Sequence, residues 1–228
     1  MTGVRLWLLR HAKVTSHRGD QPLAPDAFEP VDAAARAISA VTEPGATLSF
    51  HSTRTKRAQQ TANALRDCIA PGAPDARSAW GLRNPDLYLF GDRVEMVSTP
   101  EAFAAQVTQV DAAPEDVLAQ SFYRSFLNTS DRVGYWLNHA DPPGESALDV
   151  ARRVAQFAKS LRPMGGDWHH AVCVSHSPVL RAVLTRWFGL DDPGEPEWVE
   201  AIELIIEAGA SEARFRSERI SCDVAIGR

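Results

Sequence analysis

The sequence predicts an α/β fold, because three short apolar runs typical of buried strands are separated by longer stretches that contain the periodicity of helices. The three runs are Val4–Leu9, Thr47–Phe50 and Ala171–Val174. We expect a three-layer α/β/α sandwich, in which helices cover both faces of a largely parallel central sheet. The 228 residues are enough for one sizeable domain, and we expect a single domain over residues 1–228.

Apolar residues at helical spacing mark the elements between these runs. Hydroxyl side chains in the segment STRT precede one helix and are predicted to cap it. Ser146 and Asp149 have the spacing of a capping box at the start of another helix. The predicted helices cover Val31–Val41, Ala58–Ile69, Val150–Leu161 and Ser177–Phe188.

The stretch from about Trp80 to Asp141 shows helical patterns and no strand alternation, which predicts a mostly helical insertion or lid at about residues 90–141. We expect its clustered aromatic side chains to pack the insertion onto the core, with the lining of a substrate pocket as the alternative. These aromatics are Phe122, Tyr123, Phe126, Tyr135 and Trp136.

The last part of the chain predicts a closing hairpin made of Trp198–Glu207 and Ala213–Ile220. Its exposed edge offers a surface with which a second copy could pair, so a homodimer is one expectation. Upstream of this hairpin, His169 and His170 are interpreted as a solvated loop pair.

Composition and charge argue against several classes of protein. The formal net charge is −5 and the pI is about 5.8, which argues against a nucleic-acid binder or a protein of anionic membrane surfaces. No stretch approaches the ~18 uninterrupted apolar residues of a membrane-spanning helix, and the opening VRLWLL is too short for a signal peptide. Because the three cysteines are scattered, we expect reduced thiols and a cytoplasmic protein.

Two of the predicted strands are followed by a histidine two residues after their ends, His11 in RLWLLRHAK and His176 in AVCVSHSP. Parallel strands share a carboxyl edge, where open α/β sheets bind ligands, so we expect the two imidazoles to meet there. Arg10 precedes the first histidine, and Arg57 lies in the first turn of the helix after the middle strand.

This set of side chains is typical of a phosphate site. Arginine forks bind phosphate oxygens bidentately, and a helix N-terminus adds N–H donors and a partial positive charge. An imidazole between two guanidinium groups resists protonation, and its unprotonated nitrogen can attack phosphorus to form a covalent intermediate.

The three motifs resemble those of the histidine phosphatase superfamily, which has the phosphoglycerate mutase-like fold. LLRHAK resembles L-x-R-H-G, STRTKRAQQTANAL resembles a motif containing R-A-x-Q-T-A, and VSHSPVLRAVL resembles S-H-G-x-x-L-R. The resemblance implies that His11 becomes phosphohistidine and that Arg10, Arg57 and His176 hold the phosphoryl group. His17 stands where many members have an asparagine that contacts phosphate. The resemblance implies no metal and no cofactor.

Two positions depart from the family pattern. Ala12 replaces the usual glycine, as in a branch that includes small phosphohistidine-protein phosphatases. Asn84 in the segment LRN stands where the family has the glutamate that protonates the leaving oxygen, and asparagine cannot transfer a proton. Asp86 is the first candidate for this role and Glu145 in PGES the second, with a solvated or structural carboxylate as the alternative for each.

The leading hypothesis is a metal-independent phosphomonoester hydrolase that acts on a small phosphorylated metabolite through a phosphohistidine on His11. One alternative is a phosphoglycerate-type mutase, against which the loss of the L-N-E segment argues. Another is a phosphate-ligand binding protein that has lost the general acid. Ala12 also suggests a phosphoprotein phosphatase, although a long insertion favours a small substrate. We expect neither a nucleic-acid nor a membrane partner.

Overall fold

The computed structural model describes residues 3–16, 19–161, 167–189, 191–207 and 210–221. The strands are β1 (Gly3–Arg10), β2 (Thr47–Ser52), β3 (Arg77–Ser78), β4 (Leu87–Leu89), β5 (Asp92–Val94), β6 (Trp168–Ser175), β7 (Ala201–Glu207), β8 (Ala210–Phe215) and β9 (Glu218–Ser221). The α-helices are α1 (Phe28–Ala40), α2 (Lys56–Ile69), α3 (Pro100–Ala104), α4 (Pro114–Ala119), α5 (Ser121–Asn128), α6 (Arg132–Asn138), α7 (Ala147–Ser160) and α8 (Ser177–Trp187).

The main sheet is mixed, in the order β3-β2-β6-β1-β7-β8-β9. The first four strands in this order pair in parallel, whereas β7, β8 and β9 add antiparallel pairs at the other side. The register of β1 and β6 aligns Arg10 with Ser175, so both strands end at the same level of the sheet. The predicted α/β fold with parallel core strands is therefore confirmed.

Helices cover both faces of this sheet, because its inner strands carry apolar side chains on both sides. On β1, Leu6 and Leu8 belong to a core shared with α7, α8 and the insertion helices, whereas Leu9 belongs to a core shared with α1 and α2. On β6, Cys173 faces the first core and Val172 the second. Because both faces of β1 and β6 are buried, the sequences of these strands are continuous apolar runs.

The predicted helical insertion contains α3, α4, α5 and α6. Four of its five clustered aromatics are buried and the fifth is partly buried, so the expected packing role is confirmed; they are Phe122, Tyr123, Phe126, Trp136 and, partly buried, Tyr135. The prediction that this stretch lacks strands is wrong at its start, where β4 and β5 form a two-stranded ribbon. Positive φ angles at Phe90 (51°) and Gly91 (91°) form the ribbon's tight turn, whose twist matches that of paired strands.

Two expectations for the C-terminal half of the chain are wrong. The predicted strand Ala213–Ile220 is divided into β8 and β9, with Arg216 at a φ of 53° in the turn between them. His169 and His170 are buried in β6 instead of solvated, because this central strand begins at Trp168 and pairs on both sides. β9 is the edge of the described sheet. Pairing of this edge in a homodimer stays a prediction.

Other sequence features have the expected form. The capping box at α7 is confirmed, since the Ser146 backbone N–H donates to the Asp149 carboxylate (2.9 Å) and the Asp149 N–H to the Ser146 hydroxyl (3.3 Å). None of the helices in the described part of the chain is long and apolar enough to cross a bilayer.

The loop before α7 packs closely against the backbone at Asp86, and Gly144 lies at this contact. Its φ is +138°, and a Cβ there would lie 2.1 Å from the Asp86 carbonyl oxygen. We expect Gly144→Ala to lower the free energy of unfolding by roughly 3 kcal/mol, because backbone strain and a backbone clash add. Urea denaturation measures this loss.

Gly72→Ala is the matched control, because Gly72 also has a positive φ (+91°) but nothing within 4 Å of the added Cβ. It should cost only about 1 kcal/mol. Equal losses in the two variants would contradict the close approach at Gly144.

Candidate active site

The carboxyl ends of β1 and β6 bring His11 and His176 together. Their ring centroids are 5.0 Å apart. The backbone N–H of His11 donates to the backbone carbonyl of Ser175 at 2.9 Å, which joins the two strand ends. Both histidines are buried. The parallel register thus closes a sequence gap of more than a hundred residues at this edge of the sheet.

The orientation of the His11 ring is set by its own neighbour. Nδ1 lies 2.8 Å from the Ala12 carbonyl oxygen, and because a carbonyl only accepts, Nδ1 carries a proton. In the neutral ring the lone pair is therefore on Nε2. The Ala12 N–H donates to the buried Thr61 hydroxyl (3.0 Å), which donates to the Arg57 carbonyl (2.8 Å), so α2 fixes the chain beside the imidazole.

His176 lies deeper in the site and is held neutral. Burial is the main cause that lowers its pKa well below the usual histidine range, and the nearby Arg57, His11 and Arg10 lower it further. Its Nε2 lies 3.2 Å from the Thr55 hydroxyl, while Nδ1 has no hydrogen-bond partner among the described residues. The second imidazole is therefore uncharged and keeps hydrogen-bonding capacity for a ligand.

Thr55 corrects the predicted cap of α2. It is the N-cap residue, but its hydroxyl contacts His176 and makes no cap hydrogen bond. The cap comes from Asp20 instead, whose two carboxylate oxygens accept the Lys56 N–H at 2.9 and 2.8 Å. Because the Asp20 carboxylate caps α2, the Thr55 hydroxyl is left to contact His176.

The two predicted arginines flank the histidines, and each faces a carboxylate. Arg10 pairs with Glu195 at 2.7 Å and donates to the Pro196 carbonyl. Arg57 lies 3.5 Å from the Asp20 carboxylate. Burial lowers the pKa of both guanidinium groups and the acidic neighbours raise it. These concentrated positive charges favour an anionic ligand.

Asp86 and Glu145, the candidate acids, lie in a separate arginine–carboxylate network. Burial raises the Asp86 pKa, but hydrogen bonds from Arg83 and Arg93 outweigh it and lower the pKa overall. The Arg153 guanidinium donates to both oxygens of Glu145, at 2.9 and 3.0 Å. Among the described residues neither carboxylate contacts the histidines or arginines of the cluster. These pairings argue for structural roles.

Two further residues of the site were not singled out by the sequence. The Trp198 ring lies 5.3 Å from the His11 ring and 3.7 Å from the Arg10 guanidinium carbon, and Glu195 pairs with that guanidinium. Val199, next to this tryptophan, is buried with a φ of 60°, a strained conformation for a β-branched residue. The sequence feature that could have indicated these two residues is the Pro-rich segment DDPGEPEW, which ends in Trp198. His17 lies outside the described residues.

Comparison with known proteins supports this architecture. The sequence profile of the histidine phosphatase superfamily (branch 1) matches residues 115–203. A structure of mycobacterial glucosyl-3-phosphoglycerate phosphatase with VO3 has 19% identity and a TM-score of 0.51, with 88% of this chain and 92% of that chain covered. The profile match covers part of the chain, and the solved structures show that the chain has the fold of phosphoglycerate mutase-like proteins.

Other structures share the histidine phosphatase fold. YhfR from Bacillus stearothermophilus has 15% identity and a TM-score of 0.57, with 94% of this chain and 97% of that chain covered. Phosphoglycerate mutase from Bacillus anthracis has 16% identity and a TM-score of 0.55, with coverage of 94% and 93%. A search of curated protein sequences gave no match.

The lowered pKa of His176 predicts a specific loss of stability in mild acid. Below about pH 6.5 the unfolded chain takes up a proton at this imidazole that the folded chain refuses, so the free energy of unfolding falls. Between pH 6.5 and 5.5 we expect wild type to lose about 1 kcal/mol more than His176→Asn. Urea denaturation at the two pH values measures the difference.

His51 does not disturb this comparison. Burial lowers its pKa to about 4, and this contribution is common to both proteins. The same pH dependence in wild type and variant would show that His176 takes up its proton in the folded state.

Proposed function

We propose that this protein is a histidine phosphatase superfamily member and a phosphomonoester hydrolase that forms a phosphohistidine on His11. The observation that carries the proposal is the hydrogen bond from His11 Nδ1 to the Ala12 carbonyl, which makes Nε2 the unprotonated nitrogen of the neutral ring in a cluster with Arg10, Arg57 and His176. Nε2 attacks phosphorus, the ester P–O bond breaks, and water later cleaves the P–N bond.

The groups around His11 stabilise the negative charge of the phosphoryl group during its transfer. Arg10 and Arg57 bind the phosphoryl oxygens after exchanging their carboxylate partners for the substrate, and the neutral His176 adds a hydrogen bond. The N-termini of α2 and α8 lie at the same edge and supply a favourable potential. Most of the rate acceleration therefore comes from positioning and electrostatic stabilisation.

The proposed substrate is a small phosphorylated metabolite, and the proposed location is the cytoplasm. The insertion supports the first point, because lid-like segments enclose small molecules. A buried, inert thiol at Cys173 is consistent with the second. In a mutase, the phosphohistidine would pass its phosphoryl group back to an organic acceptor instead of to water.

A second candidate is a phosphate-binding protein without turnover. Asn84 replaces the expected acid, and arginines pair with both Asp86 and Glu145. Such a protein would bind inorganic phosphate and leave phosphomonoesters unchanged.

Hydrolysis of para-nitrophenyl phosphate in EDTA between pH 5 and 8 tests the proposal. We expect wild type to turn over and His11→Ala to lose about a thousandfold or more of kcat/KM, because the nucleophile is absent. Quenching in alkaline detergent, which preserves the acid-labile P–N bond, would trap a labelled protein only where position 11 is histidine.

His139→Ala is the control, since His139 packs against Phe122 in the insertion and has no contact with the cluster. It should retain wild-type activity. Phosphate binding without hydrolysis by wild type would favour the binding protein, and transfer to a second hydroxyl of glycerate phosphates would favour the mutase.

A further inference from the structure

The proposed reaction needs a proton for the leaving oxygen, and the structure points to a carboxyl group that the sequence motifs do not mark. Glu95 follows the ribbon strand β5, where the insertion begins. Its Oε2 lies 3.4 Å from the Asn84 amide nitrogen, and its negative charge raises the pKa of Arg57 against the lowering effect of burial. The Ser175 hydroxyl, next to His176, donates to the Leu82 carbonyl at 2.6 Å, so the segment that carries Asn84 is joined to the same edge of the sheet. This contact and the charge effect on Arg57 place the Glu95 carboxylate near the cluster.

The other carboxylates near the cluster are held by strong partners. Asp20 caps α2, and Glu195 pairs with Arg10 and accepts the Ser177 hydroxyl at 2.6 Å. Both oxygens of Glu200 accept from the Arg216 guanidinium, at 2.7 and 2.9 Å. Both oxygens of each of these carboxylates have a partner within 2.9 Å, which argues against their use as proton donors.

Glu95 has a fixed backbone and a less committed side chain. Its N–H donates to the Gln106 side-chain oxygen (2.7 Å), and the Gln106 amide donates back to its carbonyl (3.2 Å). Its Oε1 pairs with Arg93 at 2.9 Å, an arginine that Asp86 also contacts, whereas its Oε2 has the longer 3.4 Å contact with Asn84, and the side chain is 42% exposed. The carboxyl group can therefore exchange protons with solvent while its position is held.

Asn84 supplies a second observation at the same place. Its Oδ1 is buried without a hydrogen-bond partner among the described residues, although its amide nitrogen donates to Glu95. An unpaired buried acceptor is costly, so this oxygen is suited to a donor that arrives with the substrate or with a protonated carboxyl group.

We propose that Glu95 is the general acid and base of this site, in contact with the leaving oxygen of the substrate and held by Asn84. This assignment rests on the proposed phosphohistidine chemistry. It replaces Asp86 and Glu145, which the sequence favours.

In the first step His11 Nε2 bonds to phosphorus, the ester P–O bond breaks, and the Glu95 carboxyl proton passes to the leaving alkoxide. In the second step the Glu95 carboxylate takes a proton from water, whose oxygen bonds to phosphorus as the P–N bond breaks. Phosphate leaves and the carboxyl is again protonated.

The test compares two substrates of similar shape with different leaving groups. Transfer from phenyl phosphate to His11 needs a proton on a poor leaving group, whereas para-nitrophenolate leaves with little assistance. Single-turnover kinetics with each substrate are measured for wild type and Glu95→Gln. We expect the variant to lose about a hundredfold with phenyl phosphate and less than about tenfold with para-nitrophenyl phosphate. Phosphohistidine should also accumulate in the variant, because water lacks its base.

Glu197→Gln is the matched control. Glu197 lies near Arg10 as Glu95 lies near Arg57, since the Glu197 charge raises the pKa of Arg10. The Glu197→Gln substitution removes one negative charge, as Glu95→Gln does. It should slow both substrates by the same factor. An equal effect of Glu95→Gln on the two substrates, or a selective effect of Glu197→Gln, would overturn the assignment while leaving the phosphatase intact. A wild type inert toward both substrates would overturn the proposed function and, with it, this inference.

Discussion

The parallel pairing of β1 with β6 is the constraint on which the site depends. The hydrogen-bond ladder aligns Arg10 with Ser175, so the residue after each strand is a histidine at the same height. Burial on both faces fixes the register, because a slip by one residue would turn every apolar side chain to the opposite core. The same packing that stabilises the domain therefore sets the 5.0 Å separation of the two imidazoles.

Positive charge is concentrated at the carboxyl edge of the parallel strands, and nearby carboxylates balance it. Arg10, Arg57 and two helix N-termini surround His11 and His176, and burial together with these charges keeps His176 neutral. Asp20 and Glu195 pair with these arginines, and under the proposed function a phosphate enters by replacing the two carboxylates. Such exchange keeps the guanidinium groups ordered and limits the cost of their burial.

Carboxylates around the site divide into two groups according to their partners. Glu145, bound by Arg153 on both oxygens, ties α7 to the chain around residues 81–86, and Asp86 completes this network. Glu95 is fixed through its backbone, and its Oε2 has the longer 3.4 Å contact with Asn84. Ion pairing thus stabilises the scaffold, and Glu95 is the carboxylate that we propose for proton transfer.

Local sequence determined the strand ends, the helices and the capping box at Ser146, because these depend on side-chain periodicity and on residues a few positions apart. It therefore predicted the convergence of His11 and His176 on one edge. Only tertiary structure decided that Thr55 faces His176 while Asp20 caps α2, that Trp198 covers Arg10, and which carboxylates are bound by arginines. These contacts join residues that are distant in the chain, and no local pattern records the distances between them.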